Sequence, residues 1–141
     1  MTKARRVIVC EDEKDGAETY ETLLRLCGFE VFSCQEAIGC LRKAREWSPD
    51  AAIIDIGLPV MNGYDLAREL RTLPGGAGLL LIAVTGYGRP QDVAKARIAG
   101  FDWHMRKPAP PSAIIDLLAG GNIEAPEATR LREHPTIVKA G

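Results

Sequence analysis

Histidine is scarce in this chain: His104 and His134 are the only two in 141 residues, and nothing in the pattern pairs them. A metal centre built on imidazoles is not supported, and His104 reads as a residue packed at a surface edge rather than a ligand. An excess of charge of one sign is also lacking, with 18 Lys and Arg against 19 Asp and Glu and a formal net charge of -1. That balance offers no footprint for nucleic acid or for an anionic membrane. No run approaches the ~18–20 apolar residues of a membrane span, and the start leads only into the short run Val7 to Cys10. The expectation is a cytoplasmic protein with no direct contact to membrane or nucleic acid. Cys10, Cys27, Cys34 and Cys40 show no C-x-x-C spacing, so they read as buried thiols of a reducing compartment. There is no internal repeat and no sign of a second domain.

What is present is ordinary globular content, 46% hydrophobic and 26% charged, in a length that suits one core. The centre of the chain is Asp50 to Asp65, where Ala51-Ala-Ile-Ile-Asp55 runs into a Pro, Asn and Gly turn. An apolar strand ending in a carboxylate places a charge where burial is costly unless a cation or donors meet it. Around it, apolar runs of strand type alternate with helical spacing. The strands fall at Arg6–Cys10, Glu30–Cys34, Ala51–Asp55, Leu79–Val84 and Trp103–Arg106. Helical stripes follow each one: Ala17, Tyr20, Leu24; Ala37, Leu41, Ala44; Leu66, Leu70; Val93, Ala96, Ala99; and Ile114, Leu117, Leu118. Gly28, Pro49, Gly100 and the run Pro74 to Gly78 punctuate them, the last as a flexible surface loop.

Such alternation predicts an α/β fold: a doubly wound, five-stranded parallel sheet of flavodoxin-like order 2-1-3-4-5 with five helices. The continuous run from Leu79 suits a central strand buried on both faces. The organised unit spans residues 5–119. Residues 120–141 form a C-terminal tail, partly helical over Pro126 to Glu133 or disordered.

Parallel strands bring the residues after their C-terminal ends to one edge. There the order predicts Glu11 and Asp12, Asp55, Thr85 and Lys107. Carboxylates so crowded need a divalent cation, an ammonium, or both, and an all-oxygen set suits Mg²⁺. A carboxylate in that position can attack phosphorus, with the lysine and the threonine hydroxyl meeting the phosphoryl oxygens.

Four stretches resemble the signature segments of receiver domains of two-component response regulators: Val7 to Glu13, Ile53 to Gly63, Ala83 to Gly88 and Gly100 to Pro108. The resemblance implies that Asp55 is a phosphoacceptor taking its phosphoryl group from a phosphohistidine on a sensor or hybrid histidine kinase or a phosphotransfer protein. It implies Mg²⁺ held by Asp12, Asp55 and the backbone carbonyl of Gly57, with Glu11 acting through a water. Thr85 and Lys107 become the switch hydroxyl and cation, and the Lys107-Pro108 bond is expected to be cis. A signalling phosphoacceptor that assists its own phosphorylation and slow dephosphorylation is implied, not an enzyme in its own right.

Two departures stand out. Glu11 occupies a position where an aspartate is usual, and His104 stands three residues before the lysine where many receivers carry a rotating Tyr or Phe. The arrangement Gly100-Phe-Asp-x-His-x-x-Lys-Pro is similar to receivers attached to hybrid kinases. These departures motivate an alternative, a phosphorylation-independent binding module on the same fold. A phosphatase ranks last, because Gly57 sits where a second acid would be needed. Partners or a homodimer are expected on the face made by the fourth helix, fifth strand and fifth helix, residues 90–118. Trp47 and Trp103 read as half-buried.

Overall fold

In the computed structural model, which describes residues 4–121 and 128–132, the apolar runs form one sheet. Its strands are β1 (Arg6–Cys10), β2 (Glu30–Cys34), β3 (Ala51–Asp55), β4 (Leu80–Thr85), β5 (Trp103–Arg106) and β6 (Ala128–Arg130). The helices are α1 (Lys14–Leu26), α2 (Ala37–Trp47), α3 (Gly63–Thr72), α4 (Pro90–Ala99) and α5 (Pro111–Leu118). The strand order is β2-β1-β3-β4-β5-β6. All pairs from β2 to β5 are parallel, and β6 is antiparallel to β5. The flavodoxin-like order is therefore present with one strand more than expected.

Side-chain alternation divides the core into two layers. Ile8, Cys10, Ile54, Leu81, Ala83 and Phe101 pack with Leu41, Leu66, Leu70 and Ala96 of α2, α3 and α4. Val7, Val9, Ile53, Ile82, Trp103 and Met105 pack with Leu24 of α1 and Ile114 and Leu118 of α5. Every residue of β3 and β4 is buried, as expected of central parallel strands with helices on both faces. The register Cys10↔Ile54, Asp55↔Val84 and Thr85↔Arg106 brings the strand C-termini level at one edge.

Four expectations are corrected. Ala128–Arg130 is strand, not helix, because the outer edge of β5 offers unpaired backbone groups and Leu131 finds a seat in the core at 7% exposure; residues 122–127 and 133–141 lie outside the described residues. The Pro74–Gly78 segment is a tied turn. Gly76–Gly78 is a 3₁₀ turn, and Arg71 donates to the carbonyls of Gly76 (2.8 Å) and Leu79 (2.7 Å). Cys34 and Cys40 are joined in a disulfide, and of the free cysteines Cys10 is buried while Cys27 is exposed. Trp103 is buried at 5% exposure, since β5 is covered on that face by α5 and on its edge by β6, whereas Trp47 is half-buried as expected.

The turn after Asp55 depends on close backbone approach. Gly63 donates to the Ile56 carbonyl at 3.0 Å, and a Cβ there would lie 2.8 Å from Ile56 Cα and 2.9 Å from the Asp55 carbonyl oxygen. Gly63→Ala is therefore expected to cost about 1–3 kcal/mol through overpacking, read as a lower urea midpoint at unchanged slope.

Candidate functional site

Four loops at the C-terminal edge of the sheet assemble the acidic cluster. Glu11 follows β1 and is buried at 6% exposure; Asp12 beside it is exposed. Asp55 ends β3 at 8% exposure and Thr85 ends β4 at 4%. Lys107 follows β5, in a Lys107-Pro108 pair whose peptide bond is cis, as expected. Its Nζ lies 3.2 Å from Asp55 Oδ2 and 3.3 Å from both carboxylate oxygens of Glu11. The other Asp55 oxygen, Oδ1, accepts from the Gly57 N–H at 3.0 Å. Thr85 Oγ1 accepts from the Tyr87 N–H at 3.2 Å.

The cluster is short of positive charge. Burial first, and then the Asp55 charge, push the Glu11 carboxyl up to about 7 although Lys107 opposes them. Asp12 is raised as well, by desolvation and by its contact with Asp55. Partial burial works against the Lys107 ammonium, but the charges of Asp55 and Glu11 outweigh it and raise its pKa. Among the described residues, three carboxylates against one ammonium leave a formal deficit that a dication would fill. Glu11, Asp12 and Asp55 each offer an oxygen within 4.8 Å of the other two. Their chemistry, oxygen donors only, is the kind that suits Mg²⁺.

A cleft of about 470 Å³ opens beside the cluster, lined by Glu11, Gly16, Tyr20, Lys107, Pro108 and Ala109. The sequence did not point to Tyr20 as part of this edge. Its helical spacing marks it as core, and only the packing of α1 beside the loop after β5 turns it toward Glu11, whose charge, after desolvation, raises the Tyr20 pKa.

His104 is buried at 2% exposure rather than at a surface edge. Its register neighbours are Ala83 on β4 and Thr129 on β6, so β6 closes the edge that would have exposed it. Nε2 has no hydrogen-bond partner among the described residues. Burial lowers its pKa from the ordinary 6.5, with the Asp92 charge and the Tyr87 backbone pulling the other way. The unfolded chain therefore takes up a proton at this residue that the folded chain refuses. The His104 contribution to stability is complete above about pH 6.5 and declines as the pH falls below it. Melting temperatures between pH 7.5 and 5 are expected to fall less steeply for His104→Phe than for wild type. Taking the difference cancels Glu11, whose raised pKa acts with the opposite sign.

Residues 7–119 match the sequence profile of the response regulator receiver domain. The DNA-binding response regulator MtrA of Mycobacterium tuberculosis is 30% identical over 114 residues, 81% of this chain and 49% of that protein. The chain thus spans about half the length of this curated relative. A 14.6 kDa uncharacterised protein of Leptolyngbya boryana is 30% identical over 112 residues, 79% of this chain and 86% of its own. Among solved structures, the receiver domain of a sensor histidine kinase from Pseudomonas aeruginosa, with a magnesium ion coordinated in its active site cleft, is 27% identical with a TM-score of 0.74, covering 81% of this chain and 93% of that one.

Proposed function

Because this chain belongs to the response regulator receiver domain family, we propose that Asp55 accepts a phosphoryl group from a phosphohistidine and that the resulting charge switches partner contacts on the α4-β5-α5 face. The observation that carries this reading is the grip on Asp55, with Oδ1 held by the Gly57 N–H and Oδ2 by Lys107. That grip orients one carboxylate among three beside a cation.

In the transfer, an Asp55 carboxylate oxygen forms the new bond to phosphorus. The P–N bond breaks, and its electron pair leaves with the donor imidazole. Lys107 meets the negative charge on the transferring group, and the Thr85 hydroxyl donates to one of its oxygens. Asp12, Asp55, the Gly57 carbonyl and, through water, Glu11 would hold Mg²⁺, which would supply charge neutralisation for the carboxylates and the phosphoryl oxygens. Movement of Thr85 toward the phosphoryl group would then bias two packings of β4 and β5 near His104.

The donor is a histidine kinase or a phosphotransfer protein. DNA binding is a property named for longer relatives such as MtrA, of which this chain spans about half. The test is intact-mass measurement after incubation with Mg²⁺ and phosphoramidate, followed by peptide mapping. One added phosphoryl group on Asp55 supports the reading. Failure to label, with the protein folded, would favour the phosphorylation-independent module.

A further inference from the structure

The α4-β5 side of the molecule is occupied by the chain itself. Ala128, Thr129 and Arg130 pair antiparallel with Met105, His104 and Trp103. Beyond the strand, the Leu131 N–H donates to the Asp102 carbonyl at 2.7 Å, and Arg97 of α4 donates to the Leu131 carbonyl at 3.4 Å. Leu131 is inserted among the core residues that include Leu79, Leu81 and Phe101. Arg132 Nε sits 2.8 Å from Oδ1 of Asp102, a carboxylate with no exposed surface.

We infer that residues 128–132 are a displaceable cap, and that the edge of β5 beneath them is a docking surface for an extended segment of a partner protein. The cap shows what chemistry that surface accepts: antiparallel backbone pairing along Trp103–Met105, small side chains where Ala128 and Thr129 lie, an aliphatic residue in the Leu131 seat, and a cation against Asp102. Two features make it displaceable. The paired strand is only three residues long, with Leu131 as its one large apolar anchor, well short of the usual strand of five or six. Asp102 also keeps partners when the cap leaves, since its Oδ2 is held by Arg71 at 3.0 Å and by the Leu81 N–H at 2.8 Å. The buried carboxylate is therefore not orphaned in the uncapped state. Covalent tethering gives the cap a high effective concentration, so a partner must match its contacts and exceed its local advantage.

The inference does not depend on phosphorylation of Asp55, and its failure leaves that reading untouched. The probe is a fluorescent peptide with the sequence of residues 126–134, Pro-Glu-Ala-Thr-Arg-Leu-Arg-Glu-His. Full-length protein carrying Leu131→Asp and Arg132→Glu, shown to be folded by circular dichroism, is expected to bind it at least tenfold more tightly than wild type does. A peptide with the same two substitutions should bind neither. Equal binding of the intact peptide by wild type and variant, or equal binding of both peptides by the variant, overturns the inference. Should the variant not fold, hydrogen exchange on wild type decides. Excess intact peptide is expected to speed exchange at Ala128–Arg130 at least tenfold while Trp103–Met105 stay protected, and unchanged exchange at Ala128–Arg130 overturns the inference.

Discussion

Asp55→Ala protein, incubated with Mg²⁺ and phosphoramidate, is expected to gain no phosphoryl group under conditions in which wild type gains one, a rate loss of roughly three orders of magnitude or more. The neighbouring acids are poor substitutes. Glu11 is buried, its pKa raised by burial and by Asp55, and both its oxygens already face Lys107. Asp12 is exposed to solvent, whereas Asp55 is buried and gripped by both the Gly57 N–H and Lys107. Chelation of Mg²⁺ should suppress labelling of wild type for a related reason, since crowded like charges disfavour approach of an anionic phosphodonor. Intact-mass spectra of both proteins check this, and equal labelling would remove Asp55 from its role.

Asp102→Ala is expected to lower stability by about 3–5 kcal/mol, the usual cost of removing one partner from a buried ion pair. For a domain of this size that is a fall in melting temperature of roughly 10–20 °C. The Asp102 side chain joins α3, β4 and the segment after β6 through Arg71, the Leu81 N–H and Arg132. Without it the Arg71 guanidinium, whose side chain is only 14% exposed, loses its carboxylate. It would retain the carbonyls of Gly100, Gly76 and Leu79, so the fold should persist at lower temperature. Asp102→Asn keeps the shape and one acceptor, and its loss should be smaller. Thermal denaturation followed by circular dichroism checks both; a melting temperature within 2–3 °C of wild type for Asp102→Ala would mean the ion pair is worth no more than an exposed one.

The two residues differ in how far they could be read from the chain. Asp55 announces itself, because a carboxylate ending the run Ala51 to Ile54 has no local explanation. Asp102 lies in the equally visible stretch Gly100 to Pro108, yet its role depends on Arg71, 31 positions earlier, and on Arg132, 30 later. Neither partner carries a local signature. His104 falls between these cases: its position drew notice, but its burial came from β6, a strand too short and too polar to register as one.

Periodicity, turn residues and the acids at strand ends were enough for the parallel order of the first five strands, the five helices and the edge at which Glu11, Asp12, Asp55, Thr85 and Lys107 meet. These follow from local chain geometry, since alternation forces crossovers and crossovers level the strand ends. The Cys34–Cys40 bond, the Arg71–Asp102–Arg132 bridge, the tied turn at Gly76–Gly78 and the placement of residues 128–132 over β5 were decided only by tertiary structure. Each joins groups or surfaces brought together by packing: an unsatisfied strand edge, a vacant seat in the core or a buried charge takes whichever complementary group the folded chain presents.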